Sequence, residues 1–163
     1  MEIWDILDAS GRKTGRTVER GHIMAPGDYH LVVDVWIRNR NGKYLISKRA
    51  PNKPLPNIWE TTSGSAITGD DSLAAAIREA KEEVGVNLDR SRGRVILRQV
   101  RPGAGSSTIL DVWLFDEKIG DVEPTCQVDE VSEARWATKA EIVEMIASGL
   151  FVSHIGPELA LLE

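Results

Sequence analysis

Strand-favouring runs on either side of a long amphipathic helix, with a second helix near the carboxyl end, predict an α/β sandwich: a mixed central sheet covered on both faces. Three observations carry this. Residues 29–49 hold two runs rich in Val, Ile and Trp joined by Asn41-Gly42, a strong hairpin turn. Leu73, Ile77, Ala80 and Val84 recur at three- and four-residue spacing and form one apolar helical face, stopped by Gly85. Thr138 with Glu141 makes a capping-box pattern opening a helix from about Lys139 to Ala147, which Gly149 ends.

The 163 residues suit one domain with a real core, and 42% hydrophobic and 28% charged residues are ordinary for a globular chain. A net charge of −5 argues against nonspecific nucleic-acid binding, which needs a basic face, so no nucleic-acid partner is expected. Cys126 is the single cysteine, which rules out an internal disulfide and fits a reducing compartment. The start, Met1 to Asp5, lacks the features of a signal peptide, and no run approaches the roughly 20 apolar residues of a spanning helix. The expectation is a cytoplasmic protein with no membrane partner.

Taken in order, residues 2–8 read as a strand, Ala9 to Arg12 as a turn, and Lys13 to Val18 as a returning strand. Within the arm of residues 1–28 this pair is either an edge hairpin or a contact of a homodimer. His22 lies in a polar loop and reads as exposed. Tyr29 to Arg40 and Lys43 to Arg49 read as the central hairpin. The stretch 48–59, KRAPNKPLPNIW, reads as an ordered loop. In it Arg49 and Lys53 suit a phosphate, and Trp59 suits stacking on a ring or lining a pocket. The competing reading makes the two cations surface charges and Trp59 core.

Arg94 to Arg101 and Thr108 to Glu117 read as further strands around the small-residue loop 102–107, which is either a mobile cover or a plain hairpin turn. Residues 121–133 are acidic and irregular, and Arg135 to Ala137 make a short strand. The last residues read as a short packed helix with no chemistry.

Glu79, Glu82 and Glu83 stand at i, i+3 and i+4, so a helix crowds them within about 100° of arc. Like charges so placed repel one another, and a hard divalent cation reverses the sign. Arg78 can hold one carboxylate in a fixed fork. Taken alone, Arg-Glu-x-x-Glu-Glu is more often a solvated acidic face balanced by Arg78 and Lys81.

More than the run is present. Gly64, Arg78, Glu79, Glu82, Glu83, Gly85 and Val86 fall at the spacing of the Nudix box, so residues 64–86 resemble that motif. The resemblance covers about Tyr29 to Ala147 and implies a single Nudix domain over 1–163, an α/β/α sandwich with a mixed central sheet. It implies cleavage of a nucleoside diphosphate linked to another group, with Mg²⁺ or Mn²⁺ held by Glu79, Glu82, Glu83 and the main-chain carbonyl of Gly64. Arg78 would orient Glu79. The family's first box glutamate is Asp70 here, which keeps the charge with a shorter reach, so a capping or orienting role survives the change. Glu79 is the first candidate for the proton-accepting base. Glu117, Asp129 and Glu130 are alternatives, each otherwise a surface acid.

Segments GDYHLVVDVWI, LISKRAPNKPLPNIW and VDEVSEARW also resemble the branch related to type I isopentenyl-diphosphate isomerase, in which residues matching Arg49 and Lys53 hold the diphosphate. That isomerase needs a cysteine beside the start of the box, a glutamate in a later strand and a histidine-rich metal site. Thr61 to Ser65 contain neither cysteine nor histidine, Ser107 and Ile109 stand where it has acids, and only His30 matches a ligand. The expectation is therefore a metal-dependent hydrolase of a small-molecule diphosphate, with an isomerase-like enzyme and a non-catalytic nucleotide-binding module as alternatives. Nucleoside di- and triphosphates, ADP-ribose and other organic diphosphates all stay open as substrates.

Overall fold

The computed structural model describes residues 1–163. Its strands are β1 (Ile3–Leu7), β2 (Lys13–Glu19), β3 (Tyr29–Arg38), β4 (Tyr44–Arg49), β5 (Trp59–Glu60), β6 (Thr62–Ser65), β7 (Gly93–Arg101), β8 (Ser107–Asp116) and β9 (Val131–Ala137). The helices are α1 (Ser72–Val84), α2 (Lys139–Ala147) and α3 (Gly156–Leu159).

β3 organises the sheet because both its edges are used. One edge pairs in parallel with β8 along its whole length, from Tyr29↔Ser107 to Arg38↔Asp116. The other meets β1 at Leu7↔Tyr29, β6 antiparallel over Val32–Val35, and β4 at Arg38↔Tyr44. The expected central hairpin is therefore corrected: β3 and β4 separate after one pair. β6 already fills that edge, with the Thr61 hydroxyl donating to the Val35 carbonyl at 2.7 Å, and β4 pairs instead with β5 and β9. β9 also begins earlier than expected, at Val131, because exposed Ser132 and Glu133 disguise its start as loop.

Side chains alternate across β3, as a pleated strand requires. Val33, Val35 and Ile37 pack with Trp113 and Phe115 under α1, whose Ala75, Ala76 and Ala80 let the helix lie close. Trp36 joins Tyr44, Ile46, Leu110 and Val112 beneath Ile142 and Met145 of α2. A mixed sheet between helices is thus the architecture, and burial on both faces explains why β3 reads as an almost continuous apolar run.

Both ends of α1 are fixed. Asp71 caps its first turn, accepting from the Ala74 N–H at 2.7 Å. Ser72 donates to Asp111 of β8 at 2.6 Å and accepts from the Trp113 indole N–H at 2.8 Å, while Arg98 clamps Asp111 with bonds of 2.6 and 2.7 Å. At the other end Gly85 takes φ 72°, and a β-carbon there would sit 2.8 Å from Thr125 Cβ. The α2 capping box forms in both directions.

The amino-terminal pair is an edge hairpin within the chain, docked on the loop that enters α1. The Thr68 N–H donates to the Ile3 carbonyl at 2.7 Å and the Gly69 N–H to Asp5 at 3.1 Å. No helix is long and apolar enough to cross a membrane.

Candidate active site

The box closes where β6 passes the middle of α1. The α-carbon of Gly64 lies against Glu79, so the glycine leaves the space that this carboxylate occupies. Arg78 spreads over four partners: Nη1 donates to Glu79 at 2.7 Å and to Glu82 at 3.3 Å, Nε to Asp70 at 3.1 Å, and Nη2 to the Ser65 carbonyl at 2.9 Å. Asp70 thus keeps the orienting part of its expected role, and its neighbour Asp71 takes the capping part. Glu82 is exposed at the rim, 3.3 Å from Arg78. Glu83 is 9% exposed and accepts one long bond, 3.4 Å from the Ser63 N–H.

Gly64, Glu79, Glu82 and Glu83 line one cavity of about 280 Å³ together with Arg49 and Lys53. Six glutamates, residues 2, 60, 79, 82, 83 and 130, face three cations, Arg20, Arg49 and Lys53. That excess opposes an anionic ligand arriving without a cation. Burial pushes the Glu79 carboxyl up to about 7, against the opposing pull of Arg78. Burial also drives Glu83 well above the ordinary range, and Glu79 and Glu60 add to the shift. Glu60 is raised by burial although Arg49 opposes it.

Buried carboxyls forced toward their neutral forms make a donor set suited to a hard divalent cation, which would relieve the crowding. The residues present fit such an ion. No three His, Cys, Asp or Glu side chains are closed into ligand geometry, and two of these carboxylates turn an oxygen toward Arg78.

Arg49 and Lys53 reach the cavity already paired. Arg49 Nη1 donates to both oxygens of Glu60 at 3.0 and 2.9 Å and Nε to the Pro54 carbonyl at 2.7 Å, while Lys53 is ion-paired with Glu130. Leu55 and Asn57 in the same loop adopt φ of 52° and 61°, a conformation that costs side-chain-bearing residues and persists where surroundings impose it.

Trp59 departs from the expectation of ring stacking or pocket lining. It is packed into the core with Phe151 and Val152, flanked by Lys48 and Arg135, and it does not line the acidic cavity. Its strand pairs with β4 in a register that turns the indole away from the cavity and carries the next side chain, Glu60, into it.

Among the alternative acids, Glu130 lines the cavity, whereas Asp129 and Glu117 do not, and Glu117 accepts from the Asp89 N–H at 3.0 Å. His30 stacks on Trp4 with ring centres 4.0 Å apart, and burial lowers its imidazole to about 4, a core role. The loop 102–107 is tied to the arm by the Met24 N–H donating to the Gly105 carbonyl at 2.9 Å.

Sequence reasoning missed Glu2, Arg20 and Glu60. The hairpin register held the signal for the first two: Ile3 opposite Glu19 places Glu2 opposite Arg20, and their side chains meet at 3.0 Å. For Glu60 the signal was strand alternation next to Trp59.

Residues 28–152 match the family model described as NUDIX domain. A Nudix hydrolase of Listeria monocytogenes is 37% identical over 157 residues, 94% of this chain and 90% of that protein. An isopentenyl-diphosphate Delta-isomerase of Streptomyces griseus is 26% identical over 151 residues, 90% of this chain and 76% of that protein. The crystal structure of DR0079 from Deinococcus radiodurans superposes with a TM-score of 0.76 at 20% identity, covering 99% of each chain, and so shares the fold.

Proposed function

We propose, from the premise that this chain belongs to the Nudix family and is a Nudix pyrophosphohydrolase, that its acidic cavity cleaves the diphosphate of a nucleoside diphosphate derivative or a related organic diphosphate. The carrying observation is the burial of Glu79 and Glu83 in one cavity with Arg49 and Lys53. Nudix enzymes generally use divalent metals, and Mg²⁺ or Mn²⁺ is the proposed ion, with Glu79, Glu82, Glu83 and the Gly64 carbonyl as its ligands. When bound, such an ion neutralises diphosphate charge and makes water more acidic.

The chain's own residues do the rest. Arg78, fixed by Asp70 and the Ser65 carbonyl, holds Glu79 in one orientation. Glu79, held in the cavity beside Glu82 and Glu83, is the proposed acceptor of the proton as water attacks phosphorus. A new P–O bond forms, the bridging P–O bond breaks, and the departing phosphate or phosphoester oxygen carries the electron pair away. Arg49 and Lys53 lend positive charge to the phosphates, and their pairing with Glu60 and Glu130 keeps them in place beforehand. The whole chain is proposed to act as one Nudix domain.

The isomerase alternative has less behind it. Residues 61–65 carry no thiol, and burial raises Cys126, the single cysteine, away from its reactive thiolate form. The deciding assay is phosphate release from nucleotides, nucleotide sugars and isopentenyl diphosphate, with Mg²⁺ and with chelator, for wild type and Glu83→Gln. Metal-dependent release that the variant loses supports the hydrolase. Isomerised isopentenyl diphosphate with no release from any compound would overturn it.

A further inference from the structure

The acidic cavity suits a diphosphate but offers almost nothing to the group attached to it, since Val32 is its single apolar lining residue. Beside it runs an open groove of about 540 Å³ between the end of the hairpin and the loop joining β7 to β8. Trp4, Arg20, His22 and Ile23 form one side, and Ala104 and Ser106 stand on the other. Arg20 lines both spaces, so they meet across its side chain. The groove has the opposite character to the cavity: no carboxylate lines it, and Ile23 is 87% exposed there.

Both walls are held. Arg20 N–H donates to the Glu2 carbonyl at 3.0 Å, and its guanidinium bonds the Glu2 carboxylate at 3.0 Å. The Met24 N–H to Gly105 carbonyl bond ties the second wall to the first. The hairpin itself is fixed to Thr68 and Gly69, just ahead of α1 and its glutamates.

We propose that the hairpin completes the substrate site: Arg20 positions the diphosphate, and the groove between 20–23 and 104–106 takes its organic group, a group of nucleoside size. This rests on the diphosphate reading of the acidic cavity. The groove's volume lies within the several-hundred Å³ range of sites for molecules of that size. Arg20 supplies a donor fork between the two spaces, and the exposed Ile23 supplies apolar area for a planar ring, with only the edge of the buried Trp4 at the groove.

The test is calorimetric binding in Mg²⁺ to wild type, Arg20→Ala and Ala104→Trp, with methylenediphosphonate as the bare diphosphate and the α,β-methylene analogues of ADP, CDP, GDP and UDP as probes that resist cleavage. At least one nucleotide is expected to bind wild type about tenfold or more tightly than methylenediphosphonate, a difference of about 1.4 kcal/mol. Ala104→Trp fills the groove and should remove that advantage, leaving methylenediphosphonate within about twofold. Retained diphosphonate binding also certifies that the variant is folded. Arg20→Ala should weaken the nucleotide by about tenfold. Nucleotides no tighter than methylenediphosphonate, or equal weakening of both by Ala104→Trp, would overturn the subsite and spare the cavity. Failure of wild type to bind methylenediphosphonate would overturn the cavity reading itself.

Discussion

A β-carbon built on Gly64 would lie 2.1 Å from the carboxyl carbon of Glu79 and 2.3 and 2.4 Å from its oxygens. No real contact is that short, so Gly64→Ala must move something. The flexible end of Glu79 yields more easily than the paired strand β6. The expected result is a protein that melts within a few degrees of wild type but turns over about 100-fold more slowly, as when a group that orients a site is lost. Wild-type turnover in Gly64→Ala would show that the position of Glu79 does not matter.

Arg78 makes four separate contacts through one planar fork, so lysine cannot replace it. Arg78→Lys should cost about 10- to 100-fold in activity and raise the metal concentration needed for half-maximal rate. Asp70→Asn, which keeps the size but drops the charge facing Nε, should show a weaker form of the same defect. A rate loss in Arg78→Lys with unchanged metal dependence would argue against its acting through Glu79.

How much of this was legible beforehand follows from where each signal resides. The box, its helix and the Thr138 capping box are local patterns, readable because spacing along a helix fixes which side chains share a face. Strand pairing is not local. Nothing near Asn41-Gly42 announces that β6 will take the edge of β3 and send β4 to β9. The same limit hid Glu2 and Arg20, whose arrival at the cavity depends on hairpin register and on the docking of Ile3 against Thr68. The last helix was legible as a short packed helix, but its anchor in the core was not. Glu158, 1% exposed, accepts from the Trp36 indole N–H at 2.9 Å across 122 residues, a pairing that only the packed chain reveals.

Trp59 and Arg49 separate core from binding. Trp59 packs with Phe151 beneath α2, away from the acidic cavity. Trp59→Phe should therefore lower stability by about 1–3 kcal/mol and leave KM within about twofold. Arg49 spans two partners with its fork, Nη1 reaching both oxygens of Glu60 and Nε the Pro54 carbonyl. Arg49→Lys keeps the charge beside Glu60 but loses the fork, so KM should rise about tenfold with little change in melting temperature. A large KM increase in Trp59→Phe would return the indole to the substrate site.

The buried carboxyls predict an unusual dependence of metal-free stability on pH. Burial raises Glu79 from 4.5 to about 7 in the folded chain, so the fold holds that proton more tightly than the unfolded chain does. The resulting stability is complete below about 4.5 and is lost as pH rises through about 7, on the order of 3 kcal/mol. Glu83 and Glu60 act in the same direction. Glu158, raised by burial and then by Asp34, extends the loss to higher pH. His30 opposes them: burial lowers it from 6.5 to about 4, so its contribution is gained as pH rises through that interval. The two trends offset each other up to about 6.5, and above it only the loss persists. In chelator the melting temperature should fall steadily from pH 6.5 to 9. Mg²⁺ should restore the part due to Glu79 and Glu83, because a ligand of the folded state stabilises it by mass action. Glu158→Gln, which still accepts from Trp36, should flatten the upper part without affecting the response to Mg²⁺. A chelated protein whose melting temperature is level or rising between pH 6.5 and 9 would mean that these carboxyls are ionised without penalty, and the electrostatic basis for a cation site would go with them.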